Sequence, residues 1–274
     1  MNSDEYLPLR NYQTSLRNIR KRIVEVAHRT RSPHVGSALS CVEIVFTAYQ
    51  EKLKYPPTEY WKTQVVFSKG HAALALYATL EELELINPNS LESYNSDNSQ
   101  FYGHVSSMAS PHIELTTGSL GHGLPFAIGI AMAQKLLGCS EVKTIVVMSD
   151  GECDEGTTWE SALIANQFAL ENFYVVIDRN RIQSLGDTEG TLALEPFGSK
   201  WQSFGWEICE VDGHDVESLR AAMQGAIVPR CIIANTNKGK GVSFMTDQVL
   251  WHYRHPDADE LRDALVELGD YDEK

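Results

Sequence analysis

The tightest constraint on the fold is a pair of uninterrupted apolar runs separated by one helix's worth of chain. Residues 143–148 read Lys-Thr-Ile-Val-Val-Met and residues 173–177 read Phe-Tyr-Val-Val-Ile. Neither alternates polar with apolar side chains, so both faces of each strand must be covered. Strands of that kind belong to parallel sheets, and a parallel pair needs a crossover of a dozen or more residues. Residues 157–170 supply it as a helix. Three further strands are predicted, at 64–67, 206–211 and 230–236. Helices are predicted over 72–85, 121–137, 216–227 and 258–268, and Leu16, Ile19, Ile23 and Val26 recur at helical steps. Ser40 and Glu43 have the spacing of a capping box that opens a helix running to Lys54, after a turn at Ser32-Pro33-His34-Val35-Gly36-Ser37. The expectation is an α/β fold, a largely parallel sheet flanked by helices, as one domain over residues 1–274 with an acidic tail.

Composition excludes several function classes. Asp and Glu number 37 against 23 Lys and Arg, a net charge of -14. Phosphate-backbone binding needs clustered cations, so nucleic acid is not an expected partner. The basic residues at 17–22 fall on a predicted helix and read as a solvated face. No apolar run approaches about 20 residues, so no membrane-spanning helix is expected. Residues 1–10 carry acids and lack the apolar core of a signal peptide. The five cysteines, at 41, 139, 153, 209 and 231, form no Cys-x-x-Cys. Their number and spacing suit neither a disulfide framework nor a zinc ribbon, and they point to a reducing cytoplasm. All but Cys153 read as small buried hydrophobes.

Ligands of open parallel sheets bind outside the carboxyl ends of the strands. Ser149-Asp150-Gly151-Glu152-Cys153-Asp154-Glu155-Gly156 follows one apolar strand, and Asp178-Arg179-Asn180-Arg181-Ile182 follows the other. Asp150 offers a carboxylate and Asn180 an amide oxygen. Two hard oxygen donors suit Mg²⁺ or Ca²⁺, and Mg²⁺ is commonly held by one or two protein groups plus phosphates. Gly151 permits close approach of a phosphate, and the helix that follows favours negative charge. Turn and cap roles for Asp150 and Asn180 are the plainer alternative. An EF-hand is excluded, because the sixth loop position is Glu155 and the twelfth is Ser161. The loop at residues 87–119 is long enough to expect function of it, and it holds His104 and His112.

These segments, in this order, resemble the thiamine-diphosphate enzymes, and most closely the separate N-terminal subunit of two-chain transketolases. The likeness spans about residues 16–256. It rests on the 149–156 motif followed thirty residues later by Asn180, on Ser32–Ser37, Phe67-Ser68-Lys69-Gly70-His71-Ala72 and Tyr102-Gly103-His104. It rests also on Thr116-Thr117-Gly118-Ser119-Leu120-Gly121-His122-Gly123, Asp212-Gly213-His214-Asp215, Lys238-Gly239-Lys240-Gly241-Val242 and Trp251-His252. Ser149 stands where the family's metal motif has Gly, Pro33 stands before His34, and His122 stands where single-chain members often have Gln.

The resemblance implies the following roles. Asp150, Asn180 and the Ile182 carbonyl hold Mg²⁺ (or Ca²⁺). Gly151 and His71 contact the diphosphate of thiamine diphosphate, with His252 nearby, and Gly118 and Leu120 pack on the cofactor rings. His34, His104 and His252 line the sugar channel and exchange protons with substrate hydroxyls, for which imidazole is suited. Glu155 sits at the subunit contact, near the partner's cofactor-activating acid. The implied activity is transfer of a two-carbon ketol unit from a ketose to an aldose, on sugar or sugar-phosphate substrates. The family's activating glutamate lies on a pyrimidine-binding domain, which is expected here on a second, C-terminal transketolase-like subunit, in an α₂β₂ assembly. Two other readings stand beside this one: the alpha-type component of a thiamine-diphosphate-dependent 2-oxo acid decarboxylase or dehydrogenase, and a subunit that is a non-catalytic scaffold. A deoxyxylulose-phosphate-synthase-like activity is a further option. The four histidines at 34, 71, 104 and 252 favour polyhydroxylated substrates.

Overall fold

The computed structural model describes residues 12–54, 62–139, 142–184 and 186–269. The first ten residues and the acidic tail lie outside them. In chain order the helices are α1 (Tyr12–Thr30), α2 (Val35–Ser40), α3 (Val42–Lys54), α4 (Ala73–Glu82), α5 (Gly123–Leu136), α6 (Gly156–Gln167), α7 (Thr188–Thr191), α8 (Phe197–Ser203), α9 (Val216–Ala222) and α10 (Ala258–Glu267). The strands are β1 (Gln64–Phe67), β2 (Thr144–Ser149), β3 (Phe173–Arg179), β4 (Ile182–Gln183), β5 (Gly186–Asp187), β6 (Glu207–Asp212) and β7 (Arg230–Asn235). One sheet runs β1-β2-β3-β7-β6, and every pairing in it is parallel.

The apolar runs have two covered faces, as their lack of alternation requires. Ile145, Val147, Tyr174, Val176, Ile232 and Ala234 face a core built with α1–α4, α9 and α10. Val146, Met148, Val175, Ile177, Cys231 and Ile233 face the other way, onto α5, α6 and α8. Each fully buried aliphatic side chain there contributes about 1.5–3 kcal/mol. Trp201 and Trp206 pack edge to face at 5.0 Å in this second core. The sheet register puts Phe67 beside Val147 and Ser149 beside Asp178, so the chain leaves β1, β2 and β3 at nearly one level.

Four expectations need correction. Ser40 does not cap a helix: it ends α2, and its hydroxyl donates to Asp178 Oδ1 at 2.7 Å. Glu43 instead meets Arg20 at 2.6 Å, so Arg20 is buried rather than part of a solvated face. The helix expected over 216–227 stops at Ala222, because Gly225 turns the chain at φ 66°. Cys139 and Cys209 are only half-buried, whereas Cys41, Cys231 and also Cys153 are buried. The β4–β5 hairpin and the short helices α7 and α8 were not anticipated.

Candidate active site

The site forms where the sheet's carboxyl ends open. Asp150 directly follows β2, Asn180 follows β3, and Lys238 lies three residues after β7. His71 sits in the turn after β1, His34 immediately precedes α2, and His252 ends a short 3₁₀ turn. These six line one cleft of about 210 Å³, together with His104, Gly118, Leu120, Gly151 and Ile182. Every residue expected at the site converges here except Glu155. It is exposed at the start of α6, outside the cleft lining.

Four imidazoles form the wall. His34 is the hub, with ring centroids 4.8 Å from His252, 5.6 Å from His71 and 5.9 Å from His104. Its backbone is left-handed at φ 69°, a conformation that carries strain in a residue with a Cβ and recurs at functional sites. The His34 N–H donates to the His252 carbonyl at 3.1 Å, tying the two loops. Its ring Nδ1 is buried and has no hydrogen-bond partner. Burial, with Lys238 and other histidines nearby, lowers the pKa of His34 to about 4 and of His252 to about 3. Burial together with Lys69 likewise depresses His71. At neutral pH these three rings are uncharged and can either donate or accept.

The oxygen donors are aimed by their neighbours. Asp150 is buried, and burial with Asp178 nearby raises its pKa to about 6. Its Oδ2 accepts from the Arg181 N–H at 2.7 Å and from Arg179 at 3.3 Å, and its Oδ1 accepts from the Gly151 N–H at 2.9 Å. Asn180 donates through Nδ2 to Asp178 at 3.1 Å and to Ser40 at 3.3 Å, which fixes the opposite orientation for its oxygen. Asp178 is fully buried against Lys69, Ser40 and Thr236. Glu152, also fully buried, gathers three loops: it accepts from Ser68, from the Gly121 N–H at 3.1 Å and from the Ser149 N–H at 2.8 Å. The Ser149 hydroxyl donates to the same carboxylate at 3.2 Å, so a side chain at this strand end is accommodated. Gly121 has φ 75°, and a Cβ there would lie 2.6 Å from Thr157 Oγ1, which holds the 118–123 loop against α6.

Lys238 and Glu152 carry weight that their sequence context did not reveal. A lysine among glycines resembles a surface loop, and Glu152 resembles one more acid in an acidic run. Among the described residues no group of three or more His, Cys, Asp or Glu side chains has metal-holding geometry. The expected Mg²⁺ set asks for less: one carboxylate, one amide oxygen and one carbonyl. In donor chemistry these residues fit it, since Asp150, Asn180 and Ile182 line one cleft; there the Ile182 carbonyl accepts from the Lys238 ammonium at 2.8 Å and Asn180 Oδ1 accepts from the Ile182 N–H at 3.0 Å.

Fold and cleft define an α/β protein with a histidine-lined polar cleft at the carboxyl edge of a parallel sheet. A family model described as "Transketolase, thiamine diphosphate binding domain" matches residues 12–271, and the chain belongs to that family. It is 36% identical to one of the named subunits of the apulose-4-phosphate transketolase of Phocaeicola vulgatus, across 93% of this chain and 92% of that one. It is 32% identical to the 6-deoxy-6-sulfo-D-fructose transketolase subunit SqwG of Clostridium sp. strain MSTE9, across 91% and 93%. The crystal structure of transketolase from Campylobacter jejuni superposes with a TM-score of 0.78 at 27% identity, across 94% of this chain and 42% of that one. The N-terminal transketolase reading therefore stands over a 2-oxo acid component or a scaffold.

Proposed function

We propose that this chain is the metal- and diphosphate-binding half of a two-chain transketolase, acting in the cytoplasm with Mg²⁺ and thiamine diphosphate. The carrying observation is the convergence in one cleft of Asp150, Asn180 and the Ile182 carbonyl with His34, His71, His104 and His252. Thiamine diphosphate supplies the carbanion chemistry of two-carbon transfer when bound. Asp150, Asn180 and Ile182 hold the Mg²⁺. His71 and Gly151 meet the diphosphate, and Gly118 and Leu120 cover the rings. His34, His104 and His252 take or return protons at the hydroxyls of a ketose or aldose. The neutral rings of His34 and His252 suit this work, since each presents a donor and an acceptor.

Residues 1–274 act as one domain, and the pyrimidine-binding domain with its activating glutamate comes from a C-terminal transketolase-like subunit, in an α₂β₂ assembly. Two observations support the split. Relatives named as single subunits of a transketolase are matched over nearly their whole length, and solved transketolases over about two fifths of theirs. On the packed pair α5 and α6, or directly at its end, Phe126, Leu163, Ile164 and Phe168 are exposed. Exposed apolar surface of this sort suits docking. The partner chain covers it, bringing its activating acid toward Glu155. The five cysteines, none in a disulfide, suit a reducing compartment.

The test is a ketol-transfer assay on the chain, its partner and the two combined, each with Mg²⁺ and thiamine diphosphate. Activity is expected only in the combination. Full activity of the chain alone would overturn the split-site reading, and none in any mixture across ketose donors would overturn the activity.

A further inference from the structure

We propose that Glu152 is a positioning residue: it anchors the 118–123 loop beside the cleft, so that the ring-covering surface of Gly118 and Leu120 stands formed before a ligand enters. The ring-covering part rests on the thiamine-diphosphate reading, and the anchoring does not.

Glu152 is fully buried, and its carboxylate is held by hydrogen bonds that it receives. Among the described residues no lysine or arginine lies within ion-pair distance of it. Oε1 accepts from the Ser68 hydroxyl and from the Gly121 N–H at 3.1 Å. Oε2 accepts from the Ser149 N–H at 2.8 Å and from the Ser149 hydroxyl at 3.2 Å. A carboxylate is costly in the interior unless its lone pairs are matched in this way, and a side chain that only filled the space would be apolar. The donors come from three segments. Ser68 follows β1 and leads into His71, Ser149 ends β2 and precedes Asp150, and Gly121 belongs to the loop before α5. One side chain thus sets where the histidine turn, the metal loop and the 118–123 loop stand relative to one another.

The loop depends on this anchor because its backbone has few other ties. Among the described residues, the N–H groups of Gly118, Ser119 and Leu120 meet no acceptor, and that of Gly121 meets Glu152. Other ties to neighbouring segments are Thr117 Oγ1 to the Phe67 carbonyl at 2.8 Å and Thr157 Oγ1 to the Gly121 carbonyl at 3.1 Å. The approach is close: a Cβ on Gly123 would lie 2.4 Å from Ser68 Oγ, and this brings the Ser68 hydroxyl and the Gly121 N–H onto one oxygen. From there the loop reaches back to the cleft, where Gly118 and Leu120 line the wall. A Cβ on Gly118 would lie 3.4 Å from His104 Cδ2, so the loop's position also sets the space beside that ring. Both oxygens of Glu152 accept from a backbone N–H, so glutamine cannot replace it: the amide nitrogen would face Gly121 or Ser149 donor to donor.

The test is residue-resolved amide hydrogen exchange on the ligand-free full chain, wild type and Glu152→Gln. Calorimetric titration of each, assembled with its partner chain, with Mg²⁺ and thiamine diphosphate follows. In wild type the Gly121 amide should exchange about tenfold or more slowly than those of Gly118, Ser119 and Leu120. That measurement stands even if the variant does not fold. In Glu152→Gln, exchange across 118–123 should rise about tenfold or more while β3 keeps its protection. Thiamine diphosphate should bind the variant about tenfold to a hundredfold more weakly, as for other outer-shell changes. A merely structural glutamate would instead speed exchange in β2 and β3 along with the loop and lower the melting temperature. A wild-type Gly121 amide as fast as its neighbours, or unchanged 118–123 exchange in the variant, would overturn the proposal. A loosened loop with unweakened cofactor binding would overturn the positioning role. If the loop loosens in the variant but the wild-type assembly binds no thiamine diphosphate, the anchor stands and the cofactor reading falls.

Discussion

The carboxyl edge of the sheet and the α5–α6 face break the same packing rule in opposite directions. At the edge, Lys69, Asp150, Glu152, Asp178, Arg179 and Lys238 are all buried. On the face, Phe126 is 41% and Leu163 57% exposed. Charged groups are rarely fully buried unless paired, and a contiguous apolar surface rarely faces water in a monomer. The edge reconciles its charges internally, through Lys69–Asp178, the Arg179 pairs and the Glu152 hydrogen bonds, and leaves Lys238 over. The face has no internal remedy. Under the proposed function the first region meets a charged ligand and the second another protein surface.

The sharpest break of this contrast is Asp150→Ala. It should reduce the ketol-transfer rate of the assembled enzyme by about a hundredfold or more, since even outer-shell changes at metal sites cost 10–100-fold. Calorimetry with Mg²⁺ and thiamine diphosphate should show the matching loss of binding. Wild-type turnover in that variant would remove the metal role.

Next in size is a charge on the opposite region. Leu163→Glu should abolish co-purification with the partner, because an unpaired charge buried at an interface costs roughly 2–5 kcal/mol. Thermal melting of the chain alone should hardly change, as Leu163 is exposed. Size-exclusion chromatography of the mixture reads the outcome, and an intact complex would place the interface elsewhere.

Lys69→Met probes how the edge tolerates its charges. It strands Asp178 in the interior, for which about 3–5 kcal/mol of destabilisation is expected. Denaturant unfolding measures it, and a neutral result would mean that Ser40, Thr236 and Asn180 suffice to satisfy Asp178.

The smallest effect is in pH. His34 and His252 have folded pKa values of about 4 and about 3, below the ordinary 6.5. The unfolded chain therefore binds more protons than the folded one between those values. Stability contributed by these rings is complete above about pH 6.5 and falls as pH drops toward 4. Replacing both by Gln should flatten that part of the stability profile, and an unchanged acid slope would contradict their burial as neutral rings.

Much of this contrast was legible in the residues, for physical reasons. Continuous apolar runs announce strands buried on both faces, so β2, β3 and the parallel sheet follow directly. Asp150 and Asn180 were findable because the strand-end rule says where to look. Ser40 was misread because a Ser three residues before a Glu has a local meaning, while its actual partner, Asp178, is remote in sequence. Arg20 and Lys238 were missed for the same reason: burial of a basic side chain depends on which loops close over it. The exposed apolar face was equally hidden, since Leu163 and Ile164 sit in a helix of ordinary composition.

The most direct test of the central claim, half of a divided active site, is a native mass spectrum of the tagged chain purified from its own cells. The spectrum should show this chain with a second chain in equal number, carrying the added mass of thiamine diphosphate and Mg²⁺. A homo-oligomer that takes up neither, even when both are supplied, would contradict it.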